Sequence, residues 1–180
     1  MTTNQQPIQP TRRSKKTTAV FSLFFPARNL AAGLVTLVLG FSLSAQSQTT
    51  NLVWDPTGNA TDAGGTWNAS SLVWTNPATG GADIAWRNST NDIAVFGVGS
   101  GAAGLIGVAT LVTNGGITFN TPGSGNYFIT NGTIFLGGTA TISNNANATI
   151  GSVIAGSSGL TKAGNGTLTI TNSGNSYRNL

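Results

Sequence analysis

The chain has 180 residues, of which 39% are hydrophobic but only 7% are charged, against about 25% charged in an average globular protein. There is no cysteine and no histidine, and all four acids are aspartates. This composition excludes a disulfide framework and a thiolate metal site. It also removes the usual catalytic base and the commonest metal ligand, while the hydrophobic content is too high for a disordered chain.

Five of the eight basic residues (Arg12, Arg13, Lys15, Lys16 and Arg28) come before position 30, and all four acids (Asp55, Asp62, Asp83 and Asp92) come after it. From Ala45 onward only Arg87, Lys162 and Arg178 are basic. The basicity therefore belongs to a leader. Nucleic-acid binding would need a basic patch on the folded part, so no nucleic-acid partner is expected.

Behind the cationic residues, Leu30–Leu43 (LAAGLVTLVLGFSL) forms an apolar block. It fits the roughly 7–15 residues of a signal-peptide core and falls short of the roughly 20 that span a bilayer. Small residues follow, and cleavage is expected after Ser44, Ala45 or Ser47. An uncleaved anchor would have to join Ala19–Phe25 to this block across Pro26, Arg28 and Asn29. Twin-arginine export would need apolar residues where Lys15 and Lys16 follow Arg12-Arg13. Ordinary export is the expectation, with 1–45 as the signal peptide.

Residues 46–115 are a Trp-rich region that holds Trp54, Trp67, Trp74 and Trp86 and all four aspartates. The four indoles are expected to be buried anchors closing the end of a β-structure; the alternative is an aromatic platform for sugar rings. Asp55–Asp62 offers oxygen ligands but lacks the dense acid spacing of a calcium loop, so it reads as an Asx-rich turn. No metal or cofactor is expected.

From Gly101 onward, tryptophan gives way to short β-type runs. These are 117–119, 127–130, 133–136, 140–143, 148–150, 152–154, 160–162 and 167–171, with Gly and Asn between them. No helical spacing of apolar residues occurs after residue 45. Strands shorter than the usual five or six residues, separated by tight bends, favour a β-solenoid over a sandwich. Leu136, Ile142, Ile150, Ile154, Leu160, Leu168 and Ile170 should point inward, with Thr167, Thr169 and Thr171 outward. Parallel partners should lie roughly 15–30 residues apart, and Gly164 or Gly166 should take a positive φ at a corner.

The stretch 159–177, GLTKAGNGTLTITNSGNSY, resembles the autotransporter-associated β-strand repeat, whose usual form runs close to GLTKxGxGTLTLxGxNxY. The matching positions are Gly159, Leu160, Thr161, Lys162, Gly164, Gly166, Thr167, Leu168, Thr169, Gly174, Asn175 and Tyr177. The GTWN, VWTNP, IAWRN and DIAVF segments are similar to the N-terminal parts of large bacterial surface proteins with such repeats. In that family a further strand follows the tyrosine, whereas Arg178-Asn179-Leu180 stands here, which suggests a fragment or a truncated gene.

The resemblance implies an all-β fold: the start of a right-handed parallel β-helix with a Trp-rich N-terminal cap, its coils occupying 116–180. It implies an exported structural or adhesive passenger segment, not an enzyme, whose partners are an extracellular polysaccharide or a host or cell surface. It also implies a translocator barrel in a longer parent chain. The alternatives are a carbohydrate-binding module and a polysaccharide-degrading β-helix; the coil region offers the latter only Lys162 and Arg178 and no carboxylate.

Overall fold

The computed structural model describes residues 48–178, all within the unit Ser44–Leu180. The expected signal peptide and its cleavage point lie outside the described residues. Within them every regular element is a strand: β1 Thr50–Trp54, β2 Gly65–Trp67, β3 Trp74–Thr75, β4 Asp92–Phe96, β5 Leu105–Val108, β6 Leu111–Phe119, β7 Tyr127–Thr130, β8 Thr133–Asn144, β9 Ala148–Ile150, β10 Val153–Gly156, β11 Thr161–Ala163 and β12 Leu168–Ile170.

These strands form two sheets. One runs β10-β8-β6-β4-β1-β3, with β11 also on β8, and the other runs β12-β9-β7-β5-β2. Every strand pair except β1–β3 is parallel. Neighbouring strands are not neighbours in sequence: Leu168 pairs with Ala148, Ala148 with Tyr127, and Leu105 with Phe128. Each step is one coil of 20 to 23 residues, inside the expected spacing. The fold is a parallel β-solenoid.

The core is built of columns, because residues in register on parallel strands face the same side. Ile106, Ile129, Ile150 and Ile170 form one column on the shorter sheet. Val112, Ile134 and Ile154 form another on the longer sheet. Leu136, Ile142, Ile150 and Ile154 are buried, as expected from alternation. Leu160, Leu168 and Ile170 are half-buried against the same core, and Thr167, Thr169 and Thr171 are exposed.

Three differences from the sequence reading have physical causes. The runs 133–136 and 140–143 join into β8, because its ladder with β6 continues across a register shift at Asn114/Gly116. The turn between them is absorbed by positive φ at Gly138 (57°) and Ala140 (44°). Parallel pairing also reaches back through the Trp-rich region to β1, and the expected region boundary at 115/116 falls inside β6. Finally, the first coil is nearly twice as long as the others: Thr50 pairs with Asp92 and Gly65 with Ile106. The extra chain carries β3, which covers the outer edge of β1 antiparallel at Val53 and Trp54.

Candidate functional site

The four tryptophans come from β1, β2 and the long first-coil loop, and they meet inside. Trp54, Trp67 and Trp74 have no exposed surface and Trp86 retains 2%. Ring centroids lie 5.2 Å apart for Trp54–Trp74, 5.1 Å for Trp67–Trp86 and 4.5 Å for Trp74–Trp86. Phe96 joins this group at 5.5 Å from Trp67, and Phe119 stacks on Phe96 at 5.4 Å. The aromatic cluster is thus a lid continuous with a core column. No indole face is presented to solvent, so a sugar platform made of these rings would require them to leave the core.

Two lid indoles are tied to the backbone: Trp54 Nε1 donates to the Ala63 carbonyl and Trp86 Nε1 to the Thr113 carbonyl, both at 2.9 Å. Trp67 Nε1 and Trp74 Nε1 meet no acceptor.

The aspartates are each committed to local structure. Asp55 accepts from the Ala60 and Asn59 amides and the Thr57 hydroxyl. Burial pushes its carboxyl upward, but these hydrogen bonds together outweigh that and hold it below the usual range. Asp83 accepts from the Thr75 hydroxyl, and buried Asp92 is held by the Arg87 guanidinium. Asp62 is the most connected. It is 2% exposed and accepts from the Val98, Ser100 and Gly123 amides and from the Tyr127 hydroxyl at 2.7 Å. One carboxylate therefore fastens the first-coil loop to turns of the next two coils. Nothing in the sequence set Asp62 apart from the other three, since its partners lie 36 to 65 residues away.

The repeat-like stretch makes up one coil. Thr161–Ala163 pairs with Thr141–Ser143 and Leu168–Ile170 with Ala148–Ile150. Gly164 has φ +76°, and a Cβ there would collide with the Asn144 carbonyl; a Cβ on Gly166 would collide with the Ala146 carbonyl. The corner expected at one of the two glycines is at Gly164. Asn175 Oδ1 accepts from the Ile154 amide at 2.8 Å, and its Nδ2 donates to the Asn172 carbonyl. Tyr177 packs against the core. Lys162 occupies the inward column that contains Ala94, Ile117 and Ile142, yet its ammonium reaches out to the Gly164 carbonyl at 2.9 Å. Gly159 precedes β11, Thr161, Thr167 and Thr169 face solvent, and Gly174 sits in the turn before Asn175.

The exposed features lie elsewhere. Two shallow grooves of about 280 and 340 Å³ flank β1, lined by polar side chains such as Thr50, Arg87 and Asn76. On the shorter sheet, Leu105 and Phe128 are side by side on the outer face, 57% and 39% exposed. Tyr127, Phe128 and Ile129 are all apolar, so this run marks a strand in the sequence without showing which side chain faces out. Among the described residues no group of three metal-ligating side chains occurs.

No family model matches the chain, and no solved structure matches it. Among curated proteins, the "Adhesin BmaC autotransporter" of Brucella suis biovar 1 (strain 1330) is 37% identical over 151 residues, which is 81% of this chain. The chain spans 4% of that relative's length. Sequence and coil geometry agree: the match to an autotransporter adhesin and the chain's own parallel β-solenoid both fit a segment of an autotransporter passenger.

Proposed function

We propose that the chain is an exported, non-catalytic adhesive segment that acts at a bacterial surface or beyond it. The observation that carries this reading is the match to an autotransporter adhesin over most of the chain, on a solenoid of stacked coils. Such a framework suits display: stacked coils extend a surface in one direction while each coil contacts only its neighbours. Support for a non-catalytic role comes from the aspartates. Asp62 and Asp92 are buried in fixed hydrogen-bond sets, and Asp55 and Asp83 hold turns. No pair is left free to act as acid and base on a substrate.

Beads coated with the purified full chain test the reading. Retention on cultured host cells or on extracellular matrix should exceed that of beads coated with an unrelated β-solenoid. Equal retention on every surface would sink it.

A further inference from the structure

We infer that the outer face of the shorter sheet, centred on Phe128 and Leu105, binds an uncharged polysaccharide. This rests on the adhesive reading and supplies its partner class.

The first observation is electrical. Residues 93–161 contain no Asp, Glu, Lys, Arg or His, so β5, β7 and β9 carry no charged side chain. Anionic partners such as nucleic acids, sulfated glycans or lipid headgroups are recognised through Lys and Arg. Cationic partners need carboxylates. This face offers neither.

The second observation is the surface itself. Leu105, Phe128, Thr149 and Thr169 stand in register on four successive strands, about 4.8 Å apart from one strand to the next. Gly151 lies beside this row. A Cβ at Gly151 would sit 3.2 Å from Phe128 Cε2, 3.3 Å from Phe128 Cζ and 3.3 Å from Thr171 Oγ1. The ring thus rests on the bare glycine, held in place before any ligand arrives, which lowers the ordering cost of binding.

The third observation is scale. A stable protein–protein interface buries about 800 Å² per partner around aromatic or Arg anchors. Here two apolar side chains sit in a field of threonine hydroxyls, with no exposed Trp or Arg among them. A sugar ring has the complementary character: one C–H face for the aromatic ring, a rim of hydroxyls for the threonines, and no charge. A polysaccharide repeats that pattern along its length, as the coils do.

The test uses the full chain with insoluble cellulose and soluble mannan as neutral probes and heparin as the anionic one. Binding to a neutral probe is expected, unchanged from low to molar salt. Phe128→Ala should weaken it about tenfold, the size expected for an aromatic contact of about 1.4 kcal/mol. Phe128→Tyr should retain it, and Leu72→Ala, at an exposed site outside the row, should change nothing. Tryptophan emission from the buried lid verifies that each variant is folded. Salt-sensitive binding to heparin alone would overturn the inference. So would cell adhesion that Phe128→Ala leaves intact, neutral glycans do not compete and protease treatment of the cells abolishes; the adhesive reading would then survive with a protein partner. Neutral-glycan binding without cell adhesion would support the site and overturn the adhesive reading.

Discussion

Asp62 and Tyr127 are 65 residues apart in the chain and 2.7 Å apart in space. Burial pushes the Tyr127 phenol well above its ordinary value, and the Asp62 carboxylate adds to the shift by accepting the phenol's hydrogen bond and by its negative charge. The sign of the linkage follows. Below about pH 10, where an unfolded tyrosine ionises, the Tyr127 contribution to stability is fully present. Above it, the folded chain keeps a proton that the unfolded chain releases, so stability falls as pH rises. Urea midpoints should therefore decline from about pH 10 upward, and Tyr127→Phe should flatten that decline. An unchanged slope would show that Tyr127 is not its source.

Gly164 sits at a corner whose φ of +76° disfavours any side chain, with the Asn144 carbonyl where a Cβ would go. Gly164→Val should cost about 2–4 kcal/mol, left-handed strain plus overpacking. Chemical denaturation measures it. Both requirements were readable in part: Gly164-Asn165-Gly166 marks a bend in any sequence. That Gly164 and not Gly166 takes the positive φ depends on the coil beneath.

At the scale of elements, the lid shows how one residue type divides by environment. Trp54 and Trp86 satisfy backbone carbonyls, whereas Trp67 and Trp74 bury indole N–H groups without acceptors. Trp→Phe at 54 or 86 leaves a carbonyl unpaired and should cost about 1–3 kcal/mol more than the same change at 67 or 74. Four single variants in one thermal or chemical denaturation series decide it. Equal losses at all four positions would mean that ring volume alone matters.

The strands themselves were largely legible. Tyr127–Thr130 and Ala148–Ile150 match their runs residue for residue, because short runs rich in β-branched or aromatic residues, bounded by Gly and Asn, are a local signal. The doubling of the first coil was not legible. It depends on Thr50 finding Asp92 and Gly65 finding Ile106 across the Trp-bearing loop, and nothing local distinguishes a step of 41 or 42 residues from two shorter ones. Lys162 is a further case. Its column of Ala94, Ile117 and Ile142 exists only once the register is set.

At the scale of the whole molecule, the coils over 93–161, where the chain carries no charge, are held by apolar columns, backbone ladders and side-chain clasps such as those of Asp62 and Asn175. The salt bridge among the described residues is Arg87–Asp92, next to the lid. The sequence by itself pointed to the class of architecture: short β-type runs, tight Gly and Asn bends and one repeat-like stretch favour a solenoid over a sandwich or barrel. It also determined that the folded part is nearly neutral. Tertiary structure alone decided where the tryptophans point and which exposed side chains stand side by side. It alone decided which aspartate is a buried clasp. Those properties depend on contacts between residues brought together by the coils, up to 65 positions apart. Stacking of coils brings them together, and no local pattern of residues records which of the available stackings has the lowest free energy.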